Sequence, residues 1–525
     1  MDLEKPKASS ASDDAFSGSS GSPAPSKIGT SMPALARRLF PVTRVTAGLM
    51  IFLSAFLVYL LTVNSVWATD HATSFLQLDW AIWTRHSFVL GSASTFQPNT
   101  VDDFVFNGNY YSALAPGTAI LALPFAGVGF LLDGHFTVFG YALMASEVFV
   151  ALLNAIAAYL VYAVGRLFFS KRTSALLAFV YAFSTISWPF ATYFFQSDVT
   201  AMFDLLAVYF TIRVTRRVDS RVRDAVLAGL SVGVALTTDY VNAILIPIIG
   251  AYLIFSLRGT GRPFARIAAG FLLASLMGIL LIGLYNEAIF GTAFHTTEQV
   301  YLNSATPFGE FSTPVYQGIY LNLFSPLRGL FVYSIFLVLG VFGLADMLRR
   351  KKHRSEAVLL TACFLGIFLP YSAWYDPVGG AAFGPRFLVS AIPFLLIPAG
   401  LVVEEGSRGT RIVAFVLYAA GVVVNGVAGV TEGISPTTNW GLSPFLTFTF
   451  PNFLQGELDD WWVKFVGQYW PIPAVLLIGA AMVIPVVSYR LLSKDERDRG
   501  DGPGVPILAR AAKRARRQAP SRREV

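Results

Sequence analysis

"NGNYYSALAPGTAILALPFAGVGFLLDG", residues 107–134, contains an uncharged, mostly apolar run from Ser112 to Leu132. About 20 apolar residues suffice to cross a bilayer, so by length this run can span. Whether it does decides the side on which every later connection emerges. The rest of the chain makes that question central. Of its 525 residues 54% are hydrophobic and only 14% charged, with a mean hydropathy of +0.58. Soluble domains carry about 25% charged residues, and here the apolar residues fall in repeated runs of spanning length. The pattern is that of an all-α polytopic membrane protein. Cys363 is the single cysteine, so an intramolecular disulfide is excluded. The formal charge of +7 is spread over short clusters between apolar runs and over the C-terminal tail. Membrane topology accounts for such clusters, and no nucleic-acid partner is indicated.

Basic clusters at Arg166–Arg172, Arg213–Arg223, Arg258–Arg266, Arg349–Arg354 and Arg408–Arg411, and after Arg490, mark cytoplasmic connections. The complementary segments 67–139, 285–328, 374–386 and 431–470 are poor in positives. The first of them holds Asp70, Asp79, Asp102, Asp103 and Asp133 against Arg85 alone. The run from Thr46 to Trp67, preceded by Arg37, Arg38 and Arg44, reads as an uncleaved first helix leaving the cytoplasm. Two more crossings before Arg166 would put that basic cluster outside, so either 112–132 or 140–165 does not cross. The former contains Pro116, Gly117, Pro124, Gly127 and Gly129, which are poor residues for a regular helix. It is therefore expected to lie in the outer interface.

About twelve spans follow, near 46–67, 140–165, 173–191, 199–217, 223–240, 242–258, 264–286, 329–348, 356–374, 386–403, 411–431 and 471–491. Both termini are then cytoplasmic, the elaborated face is extracytoplasmic, and the chain resides in the cell membrane. Residues 1–43, rich in Ser, Ala, Gly and Pro, are expected to form a disordered cytoplasmic tail. Residues 44–491 form the membrane domain, and 492–525 a basic cytoplasmic tail. That tail reads as a retention signal or as a contact for lipid headgroups.

Several residues on the acidic face can carry chemistry. Asp70 follows the first helix directly. From Ala72 to His86, Phe75, Leu78, Ala81, Ile82 and Trp83 recur near helical spacing, with Asp79 and Arg85 facing elsewhere, which predicts an amphipathic interfacial helix. Asp70 is either a solvated helix end or a positioned base. Arg328 and Arg386 oppose the positive-inside trend, as snorkelling anchors or as ligands of an anion. Asp198 and Asp239, beside Gln196 and Tyr240, fall at outer helix ends, where ionisable groups are costly unless they are used. Asp204 and Glu147 lie within spans and suit buried polar contacts. Tyr110, Tyr111, Trp374 and Tyr375 suit an interfacial belt or a sugar platform. His295, Glu298 and Glu310 leave a divalent metal open, but their spacing matches no standard ligand set, so no metal residue is assigned and no cofactor is required. The sequence has no Walker loop, GxSxG or CxxC, so ATP-driven transport and serine hydrolysis find no support.

The order of these features resembles a known clan. An Asp directly after the first helix is followed by an interfacial helix and then "FNGNYYSALAPGTAILALPF". Further on come "YFFQSDVTAMF", "LFSPLRGLFVYS" (323–334) and "WYDPVGGAAFGPRFLVSAIPFLLIP" (374–398). This series is similar to the C-type (GT-C) membrane glycosyltransferases, the clan of protein O-mannosyltransferases and lipid A aminoarabinose transferases, in an uncharacterised prokaryotic branch. Two departures stand out: His71 where members frequently carry a second acid, and "SALAPG" without the lysine that many have there.

The resemblance implies inverting transfer of a sugar from a polyprenyl-phosphate donor to an extracytoplasmic protein, lipid or glycan acceptor, among membrane lipids. It implies Asp70 as the base and Arg386 and Arg328 as ligands of the donor phosphate. Asp79, Asp198, Asp239, Tyr110, Tyr111 and His295 are the further substrate-site candidates. The alternative is a non-catalytic lipid or solute transporter, which should show paired repeats and interrupted helices at the midplane. No repeat is evident, and the polar residues gather on one face.

Overall fold

The structure, a computed structural model, describes residues 44–498 apart from 65–68, 95–99, 134–139, 217–221, 261–262, 303–309, 352, 432–442 and 459. The expected N-terminal tail and the basic C-terminal tail beyond 498 lie outside the described residues. Helices of eight residues or more are α1 (Arg44–Leu61), α2 (Asp70–Arg85), α3 (Gly117–Asp133), α4 (Gly140–Phe168), α5 (Lys171–Phe183), α6 (Gln196–Arg216) and α7 (Val222–Thr238). They continue with α8 (Leu245–Leu257), α9 (Phe264–Phe290), α10 (Val315–Leu323), α11 (Val338–Arg349), α12 (Arg354–Ala373), α13 (Ile392–Glu405), α14 (Arg408–Val430) and α15 (Pro471–Asp498).

Every stretch expected to span carries helix. Among the described residues seven helical stretches are long and apolar enough to cross a membrane on their own. The others are shorter, interrupted or, in α6, less apolar. The 173–191 stretch breaks after Phe183, and α11 and α13 are each entered through a 3-10 turn, at Ile335–Leu337 and Arg386–Ala391. The last helix runs on to Asp498, beyond the expected boundary at 491.

The helical membrane architecture is as expected, and the first loop adds a small sheet: β1 (Gly91–Ser92), β2 (Asp103–Phe106) and β3 (Asn109–Ser112) pair antiparallel in the order β1-β3-β2. Its hairpin turns on Asn107 and Gly108, both at positive φ (47° and 76°). An Asn-Gly pair adopts this conformation readily, and the resulting turn matches the twist of the strands. Within the run 112–132, α3 passes unbroken through Pro124. Its glycines are contact points. A Cβ on Gly129 would lie 2.3 Å from the Ala142 Cα, so α4 packs backbone to backbone there. One end of α3 abuts Thr237 at the close of α7. At the other, the Asp133 carboxylate accepts from the Tyr141 and Ala142 amides (2.9 and 3.0 Å) at the start of α4.

Polar contacts sort the connections into two ends. At one, Arg216 donates to Glu356 (2.6 Å) and to the Leu167 carbonyl (2.8 Å). There also Arg350 bridges Asp346 and Glu405, and Ser170 donates to Glu404. At the other, Thr297 Oγ1 donates to the Ala113 carbonyl (2.9 Å), the Thr313 amide to that of Ala373 (3.0 Å), and Trp462 Nε1 to that of Leu61 (2.6 Å). These are the groups that charge alternation assigns to opposite faces.

One close crossing is α7 on α9, where a Cβ on Gly278 would lie 2.1 Å from the Gly233 carbonyl oxygen. Close backbone approach of this kind is how membrane helices gain packing energy without a hydrophobic drive. Gly278→Val should therefore lower stability by about 1–3 kcal/mol, read as a fall in the thermal midpoint of the detergent-solubilised protein. Gly479→Ala, where the space is open, should leave the midpoint in place. Identical midpoints for the two variants would contradict the close crossing.

Candidate active site

The cleft at the acidic end begins with the start of α2. Thr69 caps that helix, its Oγ1 accepting from the Ala72 amide (3.1 Å). Asp70 therefore occupies the first turn with its carboxylate exposed, at the end of a helix that favours negative charge. The next residues pull in the chain ahead of β2. Thr100 Oγ1 donates to the Asp70 carbonyl (3.0 Å), His71 Nδ1 pairs with Asp102 Oδ2 (2.6 Å), and Ser74 Oγ donates to Asp103 Oδ1 (2.7 Å). His71 and Asp102 line the cleft, and Asp70, the residue before His71, is exposed and acts electrostatically on Tyr301 of the lining.

The opposite wall comes from the 374–387 segment and the turn after α7. Asp239 accepts from the Val241 amide (3.1 Å) and from the Tyr371 hydroxyl (2.5 Å). Tyr371 stacks on Phe387 with centroids 4.5 Å apart and an interplanar angle of 1°. Arg386 lies against Phe387 and Phe195, its Cζ 4.9 Å from the Phe387 centroid and 5.6 Å from that of Phe195. Its Nε is buried with no hydrogen-bond partner among the described residues. Gly379 (φ 73°) makes room, since a Cβ there would meet Arg386 Nε at 3.1 Å. Glu298 closes the cleft from a short helix, Thr297–Tyr301, held by a capping box of Thr296 and Gln299.

The electrostatics separate the acids. Burial alone would raise the Asp102 carboxyl, but His71 and Arg386 outweigh it and hold the group below the usual carboxylate range. Burial, with Asp239 and Glu310 nearby, pushes Glu298 up to about 8. Asp102 has His71, Asp239 has Tyr371, and Asp376 accepts from the Gly380 amide (2.8 Å). Among the described residues Arg386 Nε and Gln196 Oε1 are left without partners in this lining, and of the two Arg386 Nε is the donor able to bind an anion from outside.

The residues expected at the site are distributed unevenly. Arg386 and Asp239 line the cleft; Asp70 is not in the lining but directly precedes His71, which is. Arg328 does not line it. Fully buried, it donates to the Val378 (3.1 Å) and Gly380 (2.9 Å) carbonyls, so its guanidinium braces the 376–380 turn that carries Gly379. Asp79, expected on a polar helix face, is completely buried with neither oxygen partnered among the described residues, and burial pushes its carboxyl well up. Asp198 is buried behind the cleft, accepting from Ser187 (2.9 Å). Tyr110 belongs to the sheet, and Tyr111 is buried against Phe104. His295 is exposed beside Phe290, away from the cleft. His295, Glu298 and Glu310 do not converge, and no trio of His, Cys, Asp or Glu forms a metal-holding group among the described residues.

Asp102, Tyr371 and Asp376 went unrecognised as site residues. The signal for Asp102 was the contrast between His71 and an acid about thirty positions on, which a pairwise reading of the first loop could have tested.

Comparison with known proteins fits this architecture. The family model described as dolichyl-phosphate-mannose-protein mannosyltransferase matches residues 124–285, less than half of the chain. No curated protein matches the sequence. In three dimensions the chain is similar to ArnT from Cupriavidus metallidurans bound to undecaprenyl phosphate. The identity is 16% and the TM-score 0.52, over 85% of this chain and 76% of that one. Apo ArnT gives 15% and 0.51, over 86% and 77%. The archaeal oligosaccharyltransferase AglB from Archaeoglobus fulgidus is more distant, with TM-score 0.44 at 13% identity, over 90% and 58%. The chain is a polytopic membrane protein with the GT-C fold.

Asp103 gives the site a pH signature. Burial, opposed by the Ser74 hydrogen bond and reinforced by Asp102 and Asp70, raises its carboxyl to about 7. The folded chain then keeps a proton that the unfolded chain releases near pH 4. Stability should therefore fall as pH rises from about 4 to about 7. Asp103→Asn should flatten that slope, seen as thermal midpoints across the range. An unchanged slope would mean that Asp103 titrates normally.

Proposed function

We propose that this GT-C membrane protein is an inverting glycosyltransferase that moves a sugar from a polyprenyl-phosphate donor to an extracytoplasmic protein, lipid or glycan. The observation that carries the proposal is the buried Arg386 Nε in the cleft at the acidic end, unpartnered among the described residues, in a lining that includes His71, the residue after the exposed Asp70. A lipid phosphate lies at the membrane surface, so its ligand must lie at a helix end. The undecaprenyl phosphate bound to ArnT, which shares this fold, supports a donor of that class.

The chemistry is a single displacement. The acceptor oxygen bonds to the anomeric carbon, the bond from that carbon to the phosphate oxygen breaks, and the phosphate leaves with the electron pair. Asp70 takes the hydroxyl proton, and Arg386 binds the developing phosphate charge. Asp102 is the weaker candidate for base. It is held ionised below the usual range with one oxygen engaged by His71, and a carboxylate so stabilised accepts a proton poorly. Its role is to fix His71 and, through the Thr100 contact to the Asp70 carbonyl, the first turn of α2. With the cleft outside, both termini are cytoplasmic.

Asp70→Asn should lower transfer by about 10²–10⁴-fold while donor binding survives, measured in proteoliposomes with a lipid-linked sugar. Full activity in that variant would remove Asp70 from the chemistry. Arg386→Lys keeps the charge but loses the planar fork, so donor use should weaken substantially, and further in Arg386→Ala. If Arg386→Ala turns over normally at wild-type expression, the residue is a membrane anchor and the phosphate binds elsewhere.

A further inference from the structure

At the basic end, opposite the cleft, α5, α13, α14 and α15 enclose a cavity of about 350 Å³. Its origin can be traced to one residue. Pro485 lies inside α15 and has no N–H, so the carbonyl four residues earlier, that of Ala481, loses its helical donor. The fully buried Tyr418 of α14 supplies the missing bond, its hydroxyl donating to Ala481 O at 2.5 Å. A phenol thus stands between the two helices, and the space beside it stays open. The walls are apolar, among them Leu176, Val403, Ala414 and Val486. Phe415, 48% exposed, lies at the open side.

The cavity has charge at one end only. Arg411 and Arg490, both exposed, line it, and Arg172 lies over the Tyr489 ring at 5.7 Å. No carboxylate is among the described lining residues. Other arginines at this end are matched with acids: Arg213 with Asp224 (3.1 Å), Arg216 with Glu356 (2.6 Å) and Arg350 with Asp346 (2.7 Å). A greasy slot ending in two arginines with no acid beside them among the described residues complements a molecule with a hydrocarbon chain and a phosphate at its end.

We infer that this groove binds an anionic phospholipid of the membrane leaflet at the basic end, with an acyl chain along α14 and α15 and its phosphate on Arg411 and Arg490. A free phosphate would leave the apolar walls unused. A zwitterionic lipid carries its own ammonium beside the phosphate, so the paired arginines gain less from it. The groove lies at the other end of the helices from the cleft, and the inference does not depend on the sugar-transfer reading.

The test uses the full-length protein in nanodiscs of phosphatidylcholine doped with phosphatidylglycerol, followed by extraction and mass spectrometry of the retained lipid. Each arginine near the surface is worth enough for the pair to enrich phosphatidylglycerol about tenfold over its bulk share. Arg411→Gln with Arg490→Gln should bring the enrichment to about one. Arg354→Gln, an exposed arginine at the same end outside the groove, should leave it intact. Ala414→Trp, which fills the slot without touching charge, should reduce retention of both lipids, with folding of each variant checked by its melting curve. The inference is overturned by no enrichment in the wild type, by an equal loss in Arg354→Gln, or by inorganic phosphate displacing the lipid as effectively as added phosphatidylglycerol.

Discussion

Hydrocarbon offers no hydrogen bonds, so each backbone amide of a membrane segment must be satisfied within the protein. That constraint makes the chain helical between its two ends and concentrates freely hydrated polar groups at those ends. It also sets how the helices are held together. With no hydrophobic drive between helices in lipid, close contact must supply the energy, and α3 on α4 and α7 on α9 meet at glycines where backbones nearly touch. The same constraint explains the repair at Pro485. A helix that loses one donor borrows another from Tyr418, and the geometry of that loan leaves a groove open.

The cleft shows the complementary situation. Outside the helical bundle a loop needs its own scaffolding, and here short polar contacts provide it. His71, Ser74 and Thr100 fasten the first turns of α2 to the strand that follows. Arg328 spends its guanidinium on carbonyls of the 376–380 turn, so the turn can carry a glycine at positive φ directly over Arg386. One arginine shapes the wall and the other faces the open space. The two are alike in sequence context, each preceding a helix on the acidic side, and their roles diverge only through what surrounds them.

Sequence alone determined the membrane class, the helical stretches and the division of the connections into two faces. All three rest on quantities that are local along the chain: run length, hydropathy and the alternation of basic and acidic segments. It also brought out Asp70, Asp239 and Arg386, because a charge at a helix end on the wrong face is visible without coordinates. Glycine and proline in 112–132 do not break α3, since propensity measures a helix against water, whereas α3 has Trp83, α4 and α7 to pack against. The sheet was not legible, because its strands are two to four residues long and leave almost no periodicity.

Tertiary structure decided the rest. Asp79 and Asp70 share a helix, yet one is sealed in the core and the other exposed, because the faces that α3 and α4 cover are set by packing rather than by sequence spacing. Asp102 reaches His71 only when the sheet folds back over α2, a contact across 31 positions. The electrostatic character of an acid follows from its neighbours in space, so Asp102 is held down while Asp103, the next residue, is raised to about 7. Charge type is written in the sequence; which charges meet, and how much water reaches them, is a property of the fold.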